Sequence, residues 1–175
     1  MIQEMFPGRI TVGNAANFVV LLGLANLIGR FVWSSLSDLI GRRATYAVFF
    51  ALGAAVYATI PTIGRSGNVV AFMVAYCIIL SMYGGGFATI PAYLRDLFGT
   101  LQVGAIHGRL LTAWSTAGVL GPVLVNYIRE YQLDRGVPKA EAYSVTMYLM
   151  AGLLIVGLIA NQSLRPVSAE AVSRA

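Results

Sequence analysis

Charge is scarce in this sequence: Asp, Glu, Lys and Arg make up 11% of its 175 residues, against about 25% in an average soluble domain. A water-soluble globule could not cover its surface with so few ionised groups, so a soluble fold is excluded. Cysteine is nearly missing as well. Cys77 stands alone inside an apolar run, which rules out a disulfide framework or a thiolate metal site and leaves the redox compartment undefined. No low-complexity tract or internal repeat stands out. The N-terminus "MIQEMFPGRI" lacks the basic segment and short apolar core of a secretory signal. It reads instead as a loop leading into a helix, as though the chain began mid-protein.

What the sequence has in abundance is hydrophobic residues, 58% of the total. Cut at its charged positions, the chain leaves apolar runs at Ile10 to Gly29, Ala44 to Gly64, Ser66 to Leu94, Leu110 to Ile128 and Ala142 to Leu164. Each reaches the ~18 to 20 residues that a helix needs to cross a bilayer. Backbone groups in lipid must be satisfied internally, so the choice lies between helices and a closed barrel. Barrel strands alternate apolar and polar residues; "FVVLLGLANLIG" does not. The expected fold is therefore all-α, a polytopic membrane protein with five transmembrane helices at about 11–34, 44–62, 68–94, 104–128 and 143–163.

The twelve basic residues are scattered singly or in pairs between these runs, so the net charge of +5 is assigned to topology and lipid headgroups rather than to nucleic acid. With loops 35–43 and 95–103 and the tail 164–175 in the cytoplasm, loops 63–67 and 129–142 lie outside. The inner side then carries Arg42, Arg43, Arg95, Arg109, Arg165 and Arg174, against Arg9, Arg65, Arg129, Arg135 and Lys139 outside. That is a weak positive-inside bias. Tyr127, Tyr131 and Tyr143 flank the outer mixed-charge loop, as an interfacial aromatic belt would.

Within the runs, Gly84, Gly85 and Gly86 followed by Pro91 should make the third helix tilt, bend or break. They mark either a hinge or a close helix crossing. Ala113, Ala117 and Gly121, at four-residue spacing in the fourth run, would let a neighbouring helix approach closely. His107 lies in the connector beside Arg109, with no acidic neighbour within a turn, and is expected to be solvated at the interface. The spans hold no Asp or Glu in their interiors, which leaves proton coupling through a membrane carboxylate without support.

The most informative stretch is "GRFVWSSLSDLIGRR", residues 29–43. Gly41 permits a tight turn by tolerating positive φ, and Arg42 and Arg43 hold that turn at the membrane surface. Asp38 is a carboxylate near a helix C-terminus, where the dipole is unfavourable. It needs a partner: another helix N-terminus, an Arg, or the N–H groups of the turn itself. Arg30 lies deeper. A guanidinium in a span costs about 2.5–3.5 kcal/mol on insertion scales, so it either snorkels to headgroups or faces a wet cavity. In the second case Asn26 and Gly23, on the same helical face, would line that cavity.

"SSLSDLIGRR" is similar to the signature G-x-L-a-D-R-x-G-R-R/K of the major facilitator superfamily: Leu36, Asp38, Gly41, Arg42 and Arg43 match, while Ser34 replaces the first Gly and Leu39 the first basic residue. With "MIQEMFPGRI", "GGGFATIPAYLRDLFGT" and "GAIHGRLLTAWSTAGVLGPVLVNYI", nearly the whole chain resembles the oxalate/formate antiporter-like branch of that superfamily. The resemblance implies that the spans correspond to helices eight to twelve of a twelve-helix carrier. The N-terminal half of the transporter would then be missing, and it is the partner expected beside the lipid bilayer and a small organic anion.

The resemblance also implies roles. Asp38, Gly41, Arg42 and Arg43 would form a cytoplasmic gate motif in which the Asp clasps the opposite half. Arg30 would hold a substrate carboxylate, which guanidinium does bidentately. Related oxalate carriers place a second basic residue on the eleventh helix, but the fourth span here has none between Leu110 and Ile128, and Trp114 stands in its place. A monocarboxylate, or a carboxylate with an apolar or aromatic remainder against Trp114, fits better than a dianion. Tyr83 and Tyr76 would line the same cavity. Packing is the alternative for Trp114 and for both tyrosines.

The expected function is thus secondary transport of a small organic anion, a monocarboxylate of formate/oxalate-like chemistry, by alternating access in the inner membrane. The incomplete half is expected not to transport alone. No cofactor, metal or catalytic residue is expected. An intramembrane enzyme would need a nucleophile with its base or a metal cluster, which one His and one Cys do not supply. A non-transporting membrane remnant or assembly partner is the alternative.

Overall fold

The computed structural model describes residues 2–139 and 141–165; Arg174 and most of the tail lie outside them. Every element among these residues is helical: α1 (Ile2–Met5), α2 (Val12–Ile40), α3 (Arg42–Ser66), α4 (Val69–Phe98), α5 (Val103–Asp134) and α6 (Ser144–Ser163). The last five are long and apolar enough to cross a membrane. Where the N-terminus read as a loop, the structure has a short helical turn. Its hydrophobic ends explain why: Met5 and the following Phe6 are buried, which fixes the segment against the bundle.

Sequence chemistry sets the helix ends. Thr11 and Asn68 cap α2 and α4, their side chains accepting from the N–H groups of Asn14 at 3.2 Å and Ala71 at 3.0 Å. Side chains of this kind satisfy the orphan donors of a first turn. Gly41 sits between α2 and α3 with φ 88° and ψ 148°, a backbone that a β-carbon disfavours. The helices outrun the apolar stretches that signal them. α2 continues past Ser34 to Ile40, and α5 past Ile128 to Asp134, because Ser, Asp and Glu at a membrane surface are compatible with helix. α4 stays unbroken through Gly84–Gly86 and Pro91; neighbouring helices accommodate prolines within membrane spans.

The five long helices form two layers. α2, α4 and α5 stand in front, with α4 in the middle and α2 packed along it; α3 and α6 pack together behind, and α3 closes on α4. Glycine makes the α2–α4 crossing close. A β-carbon on Gly29 would lie 2.1 Å from the Ser81 carbonyl oxygen, and one on Gly84 would lie 2.1 Å from that of Asn26. Gly85 faces Trp33 in the same way, whereas Gly86 has ordinary clearance from Phe49. The first two glycines of the triplet therefore serve a helix crossing.

Much of the core lies at the end of the bundle away from Gly41. There Met5, Phe6, Phe18, Ile60, Phe72 and Met147 cluster, drawn from α1 and its next residue, α2, α3, α4 and α6. Across this end Arg129 of α5 donates to both carboxylate oxygens of Glu4 of α1, through Nε and Nη2 on one guanidinium edge. The Tyr143 hydroxyl also donates to Glu4. That hydrogen bond, and then the one from Arg129, hold the Glu4 carboxyl below its ordinary value against a smaller opposing effect of burial. The pairing matters for α5, which buries none of its residues. Its small-residue face is unpacked here: nothing lies within 4 Å of a β-carbon placed on Gly121.

Candidate functional site

Arg30 stands on α2 eight residues before Asp38, about 12 Å along the axis at 1.5 Å per residue. Asp38 and Arg42 pair at the Gly41 end, so the Arg30 backbone position is more than two turns inside that polar boundary, and its side chain is exposed. It makes no ion pair or hydrogen bond among the described residues. What it meets is a ring: its guanidinium carbon lies 5.9 Å from the centre of Phe87 on α4, within cation–π range. Phe87 continues to Trp114 of α5, with ring centres 5.9 Å apart. The Trp114 indole N–H donates to the Tyr83 hydroxyl at 2.9 Å.

The structure therefore brings Arg30, Tyr83 and Trp114 into one group on the front layer, joined by Phe87. Sequence reasoning missed Phe87. The available signal was its position four residues after Tyr83, one turn along the same face, but an aromatic in an apolar span carries no distinguishing mark. Asn26 behaves differently. Its amide donates to the Leu80 carbonyl at 3.3 Å, which ties α2 to α4 at the glycine crossing. Tyr76 also leaves the group, packing between Phe18 and Phe72 in the core.

Behind this group a cleft of about 240 Å³ opens between α4 and α5, lined by Tyr83, Phe87, Trp114, Ile90, Leu110 and Leu111. Tyr46 of α3 closes its back and His107 its Gly41 end. His107 is half-buried: its Nδ1 is shielded from solvent and lacks a hydrogen-bond partner among the described residues. α5 begins at Val103, within a residue of the expected start, and His107 stands in its second turn.

At the Gly41 end the motif side chains find local partners. Arg42 donates to both Asp38 and Ser37, and its Nε lies 3.9 Å from Asp96 of α4. Asp38 thus has its partner four residues on, across the Gly41 turn at the start of α3. Arg43 donates to the Gln162 carbonyl near the end of α6, where cations complement orphan acceptors. The Asn161 amide in turn donates to the Arg43 carbonyl at 3.1 Å and accepts from the Tyr93 hydroxyl at 2.8 Å. A larger hollow of about 610 Å³ lies among these residues, but its arginines are already engaged and it is separate from Arg30.

Chemically, the front group offers one unpaired cation beside an aromatic wall, an arrangement suited to a carboxylate carrying a hydrophobic body. No cluster of three or more His, Cys, Asp or Glu side chains able to hold a metal occurs among the described residues.

Comparison with known proteins agrees with the membrane architecture. The family profile described as Major Facilitator Superfamily matches residues 9–174. The oxalate:formate antiporter of Oxalobacter formigenes is 34% identical over 130 residues, a stretch covering 66% of this chain and 31% of that protein. No solved structure matches.

Proposed function

This chain belongs to the Major Facilitator Superfamily, and on that footing we propose that it forms part of a secondary transporter of a small organic anion, with Arg30 holding the substrate carboxylate. The observation that carries this reading is Arg30 itself. It lies in a span, has no carboxylate of its own among the described residues, and stands beside an aromatic wall of Phe87, Trp114 and Tyr83. A cation at that depth is costly unless something offsets its desolvation, and an anion entering from water does so. Trp114 in place of a second cation favours a monocarboxylate over a dianion. Asp38, Gly41, Arg42 and Arg43 shape the turn at the cytoplasmic side; the same residues would meet the other half of the carrier when the cavity closes there. Since the match covers 31% of the antiporter's length, alternating access between two six-helix bundles belongs to a larger assembly, of which this chain supplies the site's basic side.

Binding tests the site directly. Trp114 adjoins the proposed carboxylate position, so its fluorescence should be quenched saturably by lactate or phenylacetate in the detergent-purified chain. Arg30→Ala should weaken that binding by about 10- to 100-fold, as loss of a charge-assisted hydrogen-bond partner does, and Arg30→Lys should restore part of it. Unchanged affinity in Arg30→Ala removes the basis of the assignment.

A further inference from the structure

Phe87 is carried by a stretch of backbone that its own helix fixes weakly. Three glycines precede it, the residue type with most conformational freedom to lose, and Pro91 has no N–H to give to the Phe87 carbonyl four residues before it. Neighbouring helices supply the restraint. Gly84 and Gly85 lie in close contact with α2, but Gly86 has ordinary clearance from Phe49. What reaches Gly86 is a hydrogen bond: the Tyr46 hydroxyl of α3 donates to its carbonyl at 2.6 Å. A carbonyl oxygen has two lone pairs, so this donor adds to the bond that α4 makes for itself. The Thr89 hydroxyl is a weaker candidate, since its single proton goes to the Gly85 carbonyl at 2.9 Å and the Gly86 carbonyl lies 3.4 Å away.

We propose that the Tyr46 hydroxyl is a positioning group for the anion site, fixing the Gly86–Phe87 peptide and, through it, the ring whose centre lies 5.9 Å from the Arg30 guanidinium carbon. The inference rests on the carboxylate reading of Arg30 and names a residue of the rear layer on which that site depends. Tyr46 is itself held firmly. Its ring stacks on Tyr93 with centres 5.0 Å apart and meets Phe49 edge-on at 5.5 Å. Tyr93 is anchored in turn by the hydrogen bond that its hydroxyl donates to Asn161 of α6 at 2.8 Å. These contacts place the Tyr46 ring without help from its hydroxyl, so what the hydroxyl adds is the hold on α4. Phe87 also meets Trp114, with ring centres 5.9 Å apart. A loosened peptide would therefore disturb both the ring beside the guanidinium and its aromatic neighbour.

The test uses Tyr46→Phe, which keeps the ring and removes the donor. Gly86–Phe87 is the only Gly–Phe step in the sequence, so ¹³C-carbonyl glycine combined with ¹⁵N-phenylalanine gives one coupled signal, from that peptide, in the detergent-purified chain. Its carbonyl resonance should move upfield in Tyr46→Phe, as a carbonyl that loses a hydrogen-bond donor does. The ¹⁵N signals of Phe6, Phe18 and Phe72 in the far core should stay in place, which shows that the variant is folded. Phenylacetate, read by the quench of Trp114 fluorescence, should bind about three- to tenfold more weakly, within the scale of one hydrogen bond. In a Phe87→Leu background the same change at Tyr46 should have no further effect, because the two residues act as a unit; a loss by general destabilisation would instead add. An unmoved carbonyl resonance, an affinity that Tyr46→Phe leaves unchanged although Arg30→Ala lowers it, or a loss that persists beside Phe87→Leu overturns the positioning role. Undiminished affinity in Arg30→Ala overturns the carboxylate reading instead, and the carbonyl resonance and the coupling to Phe87 then still decide the role of the hydroxyl. Absence of a saturable quench overturns the two together.

Discussion

A methyl group at Gly84 would sit 2.1 Å from the Asn26 carbonyl oxygen, a backbone atom that cannot easily move aside. Alanine is the better helix former by about 1 kcal/mol, yet overpacking costs about 1–3 kcal/mol, so the clash should win. Gly84→Ala is expected to lower the melting temperature in detergent. Gly121→Ala, with open space around it, should leave that temperature unchanged or raise it. The comparison separates packing from flexibility at a triplet whose sequence allowed either. At this scale the sequence was most legible where a residue type is out of place. Arg30 in an apolar run declares itself, as does glycine before two arginines. Asn26 did not: spacing placed it on the Arg30 face, but a helical face is broad and the amide found a closer acceptor in Leu80. The shielding of His107 Nδ1 was not legible either, because the sequence does not show what packs beside it.

Among the long helices, α5 buries none of its residues, and two of its polar attachments are far apart. One is the Trp114 contact with Tyr83 and Phe87; another is the Glu4–Arg129 pair at the end away from Gly41. Glu4 titrates below its ordinary value when folded. Its contribution is therefore complete above the unfolded value, near 4.5, and is lost as pH falls through the lower folded value. Glu4→Gln should melt at a lower temperature than the native chain at neutral pH. The gap between the two should shrink toward zero once the medium is more acidic than the folded carboxyl; a gap that stays constant with pH would show that the ionised pair contributes nothing. The number and order of the long helices were readable from hydropathy, because bilayer thickness imposes a minimum length. Their ends were not, since hydropathy marks where lipid stops and hydrogen bonding lets the helix continue through Ser, Asp and Glu. The long-range pairing of Glu4 with Arg129, 125 positions apart, left no local pattern to find.

For the whole molecule, the proposed function makes the group of Arg30, Phe87 and Trp114 one wall of a translocation path, and a single wall would offer no alternation of access. Vesicles containing this chain alone should therefore accumulate labelled formate or lactate no faster than vesicles containing its Arg30→Ala variant. Uptake above that control would mean that these helices assemble a complete path by themselves, for example by pairing with a second copy.

The joint at Gly41 has a mechanical corollary. With one residue between α2 and α3, the chain has no slack in which to absorb a displacement of one relative to the other. Arg43 in turn fastens the start of α3 to the end of α6. On the proposed reading, a tilt of α2 as an anion settles on Arg30 would thus be passed rigidly to the rear helices, as through a crank, and lengthening the joint by a few flexible residues would leave the grip on that anion intact while disconnecting the drive.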